Sequence, residues 1–184
     1  LGIAGISPEE VDVVSIARPW LTGTEERIHL ELTERFPNAR VIVVDHQLAH
    51  AASTYYASPF DEATVLTLDR LGDFRCGARW QGCGNTLTVE QELYYPDSLG
   101  DLYGRVARLI GFRYNADEHK VQWLSASGQP RFVEYFDDLL HARQGDWPAL
   151  RRGLLNTESA NGAFHRRFFS DLGLDAASLS DIDR

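Results

Sequence analysis

The sequence predicts an α/β fold: a mixed sheet with flanking helices, followed by a mainly helical segment. Three observations indicate this class. Short apolar runs alternate with helix-like segments as far as Asp69, a Gly-rich turn then joins two more strand-like runs, and helical periodicity dominates from Leu99 onward. Strands that alternate with helices are typical of βαβ units around a largely parallel sheet.

The first part of the chain supplies three strands and two helices. Apolar, β-branched runs predict strands at residues 11–17, 41–45 and 63–69. Helices are predicted in the intervals between them, at residues 25–36 and 46–56. Each helix therefore connects two strands, as a βαβ arrangement requires.

The stretch from residue 76 to residue 95 has a different pattern. Two runs rich in strand formers flank GCGN at residues 82–85, which is a hairpin signal. Because a tight turn joins antiparallel neighbours, we expect these strands to extend the sheet in antiparallel fashion.

The remainder of the chain reads as helix. The predicted helices are residues 99–112, 117–126, 131–142, 147–155 and 161–173, and the acidic tail after Gly173 is expected to be poorly ordered. Apolar positions at helical spacing predict a core stripe made of Phe132, Tyr135, Phe136, Leu139 and Leu140. The run FHRRFF at residues 164–169 is interpreted as packing rather than as a nucleic-acid surface, given the acidic background. We expect a single domain, sheet-rich in residues 1–97 and mainly helical in residues 98–184.

Composition excludes several classes of function. The 184 residues carry a net charge of −9, which argues against non-specific binding to nucleic acid or to anionic membranes. No apolar run approaches the ~20 residues needed to span a bilayer, and no signal peptide opens the chain. Cys76 and Cys83 do not make a metal-finger pattern, so a reduced, cytoplasmic setting is the simpler expectation.

The chain contains no methionine and opens on what looks like the end of an element. We therefore expect it to be part of a longer protein, without the first strands of its domain and without any domain that follows. Such a piece is expected to be inactive on its own.

His46 and His50 are four residues apart in a predicted helix. Residues at this spacing share one helix face, with Cβ atoms roughly 5–6 Å apart, so both imidazoles can reach one metal ion. In the zinc-protease helix a glutamate follows the first histidine as general base. Gln47 holds that position here and cannot act as a base, so a protease is not expected. The alternative, that the two histidines only bond to the backbone, remains open at this point.

Asp69 is the candidate third ligand. It ends a buried strand, and in open α/β sheets ligands bind at the carboxyl ends of strands. Two histidines and a carboxylate leave metal positions open for substrate, as in non-haem iron sites. Asp69 could equally be a turn residue before Gly72, and spacing alone does not decide between the two.

Three ordered motifs resemble those of the O-carbamoyltransferase family, which includes the nodulation U protein and the cephem and tobramycin carbamoyltransferases. They are HQLAHAASTYYASPFDEATVLTLDRLGD at residues 46–73, PDSLGDLYGRVARLIGF at residues 96–112 and DEHKVQWLSASGQP at residues 117–130. The positions that match the family pattern in the first and third motifs are His46, Leu48, Ala49, His50, Ser58, Pro59, Phe60, Ala63, Asp69, Gly72, Glu118, Lys120, Val121, Leu124, Gly128 and Pro130.

The resemblance implies a fold and a reaction. The fold would be RNase-H-like, similar to actin, to sugar kinases and to the universal tRNA threonylcarbamoyl-transfer proteins. Carbamoyl phosphate and ATP would form a carbamoyl-adenylate in a separate C-terminal domain. The core would then pass the carbamoyl group to a hydroxyl of a sugar or other natural-product acceptor. No nucleic-acid or membrane partner is implied, and a homodimer is left open.

The resemblance also implies a divalent metal, usually iron, with zinc or magnesium as alternatives. Carried over by position, its ligands and the catalytic residues are His46, His50 and Asp69. A further aspartate, later in the family's chains, is not identified in this sequence. A divalent ion neutralises charge that develops on phosphate and carbonyl oxygens during transfer.

Six other positions are candidates for holding the nucleotide or the adenylate. Gly72 and Gly100 would let backbone amides approach phosphate, and Ser98 would cap a helix aimed at an anion. Lys120 would pair with phosphate or carboxylate, although a solvated lysine is the simpler alternative. The other two candidates are Arg70 and Asp73.

Some positions depart from the family pattern. Gln47 replaces a second histidine, Arg70 replaces a glycine and Asp73 replaces a glutamate. These changes indicate a divergent subfamily with a different acceptor. Two rival hypotheses stay open: threonylcarbamoyl transfer to tRNA, and a non-catalytic binding or assembly module of the same fold.

Overall fold

The computed structural model describes residues 2–17, 25–141, 149–150, 152–155 and 164–174. The chain divides into two compact units. The first comprises residues 1–67 and 72–92, and the second comprises residues 68–71 and 93–184.

The first unit opens with a short 3-10 turn, Pro8–Glu10, and a parallel strand pair. Strand β1 (Val13–Ala17) pairs with β2 (Arg40–Val44), and Val13 lies opposite Arg40. Helix α1 (Glu25–Arg35) lies between them in sequence and ends before Pro37, as expected because proline cannot continue a helix. The predicted strand–helix–strand order is therefore confirmed, with bounds shifted by one or two residues.

A three-stranded sheet follows helix α2 (His46–Tyr55). Its strands, in spatial order, are β3 (Glu62–Gly72), β4 (Arg75–Cys83) and β5 (Thr86–Tyr94). Two-residue connections join successive strands, so the strands are antiparallel. The predicted hairpin is thus confirmed.

Helix α2 packs on this sheet through a small apolar cluster, which consists of Ala51, Tyr55, Val65, Ala78 and Trp80. The Tyr55 hydroxyl donates to the carbonyls of Asp61 and Gly84, at 2.6 and 3.1 Å. Its ring lies so close to Gly82 that a Cβ there would be 2.5 Å from it. The helix is therefore held on one face of the sheet, with its first turn near the strand ends.

The second unit is mainly helical. It contains α3 (Leu99–Leu109), α4 (Glu118–Ser125), α5 (Val133–Leu139), the strand pair β6 (Leu140–His141) and β7 (Ala149–Leu150), a 3-10 turn (Arg152–Leu154) and α6 (Arg166–Asp171). Its core consists of Leu102, Leu139, Leu150, Leu154, Leu155, Phe164 and Phe168. The rings of Phe164 and Phe168 stack with centroids 3.8 Å apart, so their prediction as packing residues is confirmed.

Three sequence predictions about the fold are wrong. Where a helix was predicted at residues 147–155, the described residues form strand β7 and a 3-10 turn. The parallel pair and the antiparallel strands also belong to separate sheets among the described residues, rather than to one mixed sheet. In the predicted core stripe Leu139 is buried, but Phe132 is 41% exposed, so its assignment to the core is also wrong. The tail from residue 175 lies outside the described residues.

None of the helices in the described part of the chain combines the length and the apolar character needed to cross a bilayer.

Candidate metal centre

Helix α2 begins with a side-chain cap that fixes its first turn. The Asp45 carboxylate accepts a hydrogen bond from the Leu48 amide at 3.0 Å, which satisfies an amide that would otherwise be unpaired at the helix start. His46 is therefore the first helical residue, and His50 lies one turn along the same face. Their Nε2 atoms are 3.1 Å apart. The structure thus places the two imidazoles side by side.

An ion cluster ties the cap of α2 to the sheet. The Arg75 guanidinium on β4 pairs with the Asp45 carboxylate, and it also pairs with Glu92 on β5 at 2.6 Å. All three side chains are at most 30% exposed, so solvent screens these pairs less than it screens surface pairs. The capping carboxylate therefore has two tasks: it starts the helix and fixes the helix to neighbouring strands.

Strand β3 brings Asp69 to the face that carries α2. Side chains alternate along a strand, and Val65 on β3 packs in the cluster beneath α2. Thr67 is also buried, so the odd-numbered positions, Asp69 among them, point to the helix side. The Asp69 Oδ1 atom accepts a hydrogen bond from the Arg70 amide at 2.6 Å, which orients the carboxylate.

His46, His50 and Asp69 form a cluster of three potential metal ligands. One ligand atom from each residue can be chosen so that all three lie within 4.8 Å of one another. His46 and Asp69 are half-buried, whereas His50 is exposed. Ligands bound at about 2.0–2.2 Å from one ion in tetrahedral geometry lie roughly 3.5 Å apart, so the side chains would have to move together by up to about 1 Å to bind one ion. Imidazole and carboxylate donors together suit iron or zinc.

The turn after β3 lies beside the histidines. A Cβ at Gly72 would be 2.2 Å from Cδ2 of His46, so only glycine leaves room for the ring in this position. Asp73 and Phe74 follow in a turn with φ values of 55° and 64°. Two consecutive positive values indicate the type I′ hairpin turn that suits the twist of antiparallel strands.

Ser98 and Gly100 lie at the start of helix α3. The Ser98 hydroxyl accepts from the Asp101 amide at 3.0 Å, so its prediction as a helix cap is confirmed. The same hydroxyl contacts the carbonyl oxygens of Asp69 and Arg70. At Gly100 a Cβ would meet the Arg70 nitrogen at 2.8 Å. The close approach that this glycine allows is therefore with protein backbone.

Arg70 and Lys120 both contact other side chains of the second unit. Arg70 donates a hydrogen bond to the hydroxyl of Tyr114. Burial raises the pKa of Tyr114 and the hydrogen bond with Asp101 raises it further, whereas the hydrogen bond with Arg70 lowers it. Lys120 on α4 pairs with Asp117 at 2.9 Å. Hydrogen bonds from Arg113 and then Lys120 hold the pKa of Asp117 below its usual range.

Sequence reasoning missed Arg75. Its partners, Asp45 and Glu92, are far from it in the chain, so no local pattern marks it. Asp45 carried a signal that was open to interpretation, because an aspartate directly before a helix is a common N-cap. The sequence pattern instead predicts Asp45 as the last residue of the strand at residues 41–45.

A family model described as carbamoyltransferase N-terminus matches residues 22–182. The chain belongs to this family. The resemblance that the three motifs indicate is thereby confirmed.

Curated relatives agree with this membership. The chain is 41% identical over 96 residues to the uncharacterized protein sll1178 of Synechocystis, an alignment that covers 52% of this chain and 16% of that protein. It is 35% identical over 106 residues to nodulation protein NolNO of Sinorhizobium fredii, covering 55% of this chain and 15% of the relative. It is 33% identical over 96 residues to nodulation protein NolO of Bradyrhizobium diazoefficiens, covering 50% and 17%. These alignments thus span only a small part of each relative.

Proposed function

We propose that this carbamoyltransferase-family chain is the metal-holding core of an ATP-dependent O-carbamoyltransferase. The observation that carries the proposal is the cluster of His46, His50 and Asp69, whose ligand atoms lie within 4.8 Å. The donor set fits a divalent ion, with iron favoured and zinc as the alternative; magnesium, which prefers oxygen ligands, fits two imidazoles poorly. The family match over residues 22–182 supports carbamoyl transfer as the reaction class.

The chain's own residues prepare the site for such an ion. The Asp45 cap and the Arg75 cluster fix the first turn of α2, which carries His46, and His50 follows one turn along the same helix. Holding ligands in advance reduces the cost of ordering them. The exposed imidazole of His50 keeps one side of the cluster accessible from solvent.

An ion bound here would act as a Lewis acid toward the carbamoyl carbonyl and phosphate oxygens. The acceptor in this proposal is a hydroxyl of a sugar or related natural product, and the carbamoyl group would arrive as carbamoyl-adenylate. The nodulation names of two relatives are compatible with a sugar acceptor but do not identify it. Gln47, in place of a histidine, leaves no titratable group at that position.

Metal analysis tests the proposal. The purified chain, incubated anaerobically with Fe²⁺ or with Zn²⁺ and then desalted, is expected to retain about one ion per chain. His46→Ala and His50→Ala should each abolish retention. His29→Ala is the matched control because His29 lies exposed on α1, and its retention should equal that of the unsubstituted chain.

Nucleotide binding provides a second test of the proposed function. Titration of the full-length protein with ATP should give a saturable signal that strengthens when the metal is loaded. A full-length protein that retains no iron or zinc and binds no ATP would rule out the enzyme proposal and favour a non-catalytic module. Carbamoyl-phosphate turnover is expected only when the chain is joined to the rest of a carbamoyltransferase, and turnover by the 184-residue chain alone would contradict that expectation.

A further inference from the structure

Ser98 is a buried hydroxyl with three backbone partners. Its Oγ accepts from the Asp101 amide at 3.0 Å, lies 2.7 Å from the Arg70 carbonyl oxygen and lies 3.2 Å from the Asp69 carbonyl oxygen. The hydroxyl has one proton, which it donates mainly to the nearer carbonyl, that of Arg70. The residue is fully buried. Ser98 therefore does more than cap a helix: it also binds the end of strand β3.

Gly100 brings the first turn of α3 against the peptide group that joins Asp69 to Arg70. A Cβ at Gly100 would lie 2.8 Å from the Arg70 nitrogen and 2.9 Å from the Asp69 carbonyl carbon. Contacts below 3.0 Å with backbone cannot be relieved by a side-chain rotation, so no other residue fits without displacing the strand. The first turn of α3 is thus occupied by protein backbone, which makes it a poor site for phosphate.

The peptide group between Asp69 and Arg70 also orients the Asp69 side chain. The Arg70 amide donates to Asp69 Oδ1 at 2.6 Å. If this peptide group rotates, its N–H direction changes and the carboxylate must rotate with it. Hydrogen bonds of this kind, made to a ligand rather than to the metal, fix ligand orientation in metal sites.

A buried network holds α3 in place behind this contact. Asp101 on the first turn pairs with Arg105 at 2.7 Å, with both side chains 3% exposed. The Tyr114 hydroxyl donates to Asp101, and Arg70 contacts Tyr114. The backbone and the side chain of Arg70 are therefore both held by α3 and its partners.

We propose that Ser98 is a positioning residue for the Asp69 carboxylate, with Gly100 providing the space that its hydrogen bonds require. This inference depends on the proposed function, because it assigns the Asp69 carboxylate to a metal. The Ser98 hydroxyl donates to the Arg70 carbonyl, which belongs to the peptide group after Arg70, and it contacts the Asp69 carbonyl, of the peptide group before Arg70, at 3.2 Å. Both peptide groups that flank Arg70 therefore keep their orientation, and the Arg70 amide holds Asp69 Oδ1.

The informative substitution is Ser98→Gly. Glycine is nearly as good as serine at an N-cap and costs only a few tenths of a kcal/mol there, so the helix start survives while the hydroxyl donor is lost. Ser98→Thr retains the hydroxyl and serves as the conservative rescue. Ser125→Gly is the matched control, because the Ser125 hydroxyl also donates to a backbone carbonyl at 2.7 Å, that of Gln122 on α4.

The first measurement is a Co²⁺ titration of the 184-residue chain, followed by its visible d–d bands. Ser98→Gly is expected to weaken Co²⁺ binding by about 10- to 100-fold and to change the band shape. Ser125→Gly should change neither, and Ser98→Thr should restore most of the affinity. A folded Ser98→Gly chain with unchanged affinity and bands would overturn the proposal.

The second measurement needs no metal. In the metal-free chain, NMR resonances of the Arg70 amide and the Asp69 side-chain carboxyl carbon should shift in Ser98→Gly and stay in place in Ser125→Gly. If the unsubstituted chain binds no Co²⁺, the proposed metal function fails, and these resonances still decide the positioning role. Resonances that do not move in Ser98→Gly would refute it.

Discussion

The imidazole of His46 lies against the α-carbon of Gly72, so that a methyl group at Gly72 would come within 2.2 Å of Cδ2 of His46. The hairpin turn after β3 therefore limits where the first histidine of the pair can lie. The histidine spacing is a property of one helix, whereas this contact depends on how the helix packs on the sheet.

Gly72→Ala is expected to displace the His46 ring and thereby weaken metal binding, by about tenfold or more if the ligand loses its orientation. A Co²⁺ titration measures the effect. Gly82→Ala is the control, because a Cβ there would overpack the Tyr55 ring at 2.5 Å and cost about 1–3 kcal/mol without contacting a histidine. Equal Co²⁺ affinity in the two variants would show that Gly72 does not position the ring.

Much of the candidate site could be predicted from sequence because its parts are local. The helical period places His46 and His50 on one face, but the motif resemblance was needed to assign them and Asp69 as metal ligands. Asp69 is not the strand end that the pattern predicts, because β3 continues to Gly72. Contacts set by packing had no such signal. Gly72 was predicted to approach a phosphate, and the observed neighbour is the ring of His46.

The difference between local patterns and contacts set by packing also explains the wrong prediction of a helix at residues 147–155. Residues 147–155 contain an apolar run too short to separate helix from strand by period alone. Pairing of Leu150 with Leu140 makes that run a strand, and this pairing depends on residues distant in the chain. The hairpin of β4 and β5 was predictable because a Gly-rich turn marks it, whereas β3 runs three residues beyond its predicted end at Asp69.

Arg75→Met is expected to lower the free energy of unfolding by about 1.5–3 kcal/mol, the usual worth of hydrogen bonds to charged groups. The substitution leaves Asp45 and Glu92 without the guanidinium that joins them. Urea unfolding measures the change. Arg79→Met is the control on the same strand, since Arg79 and Glu90 form a more exposed pair of a kind worth about 0–1 kcal/mol. Equal losses in the two variants would contradict the anchoring role.

Arg105→Met and Arg27→Met each remove an ion pair between residues four apart on a helix. Arg105→Met is expected to lower the free energy of unfolding more. Arg105 and Asp101 are each only 3% exposed, and breaking a buried pair by removing one partner costs about 3–5 kcal/mol. The hydroxyl of Tyr114, which also donates to Asp101, keeps the loss toward the lower end. In Arg27→Met the lost pair with Glu31 is solvent-exposed, so thermal unfolding should barely change. A small effect for Arg105→Met would contradict the expected contribution of this buried ion pair.

Asp117 should make stability depend on acid pH. Hydrogen bonds from Arg113 and Lys120 lower the pKa of Asp117 in the folded chain, whereas the unfolded value is about 3.9. A lowered folded pKa stabilises the protein above the unfolded pKa, and this contribution is lost as pH falls toward the folded value. The difference in unfolding free energy between the unsubstituted chain and Asp117→Asn should therefore shrink below about pH 4. Lys120→Met should raise the pH at which this loss of stability occurs. If the difference in unfolding free energy between the unsubstituted chain and Asp117→Asn does not change with pH, Asp117 is not the group responsible.

Gln47→Leu is expected to stabilise the chain. Gln47 is fully buried on the face of α2 that also carries Ala51 and Tyr55, and neither polar atom of its amide has a hydrogen-bond partner among the described residues. A buried, unsatisfied polar group costs about 1–3 kcal/mol, so a leucine of similar shape should raise the free energy of unfolding by that order. Gln122→Leu, at an exposed position of α4, should change it by no more than about 0.5 kcal/mol. A loss of stability in Gln47→Leu would contradict the expectation that the buried amide is unsatisfied.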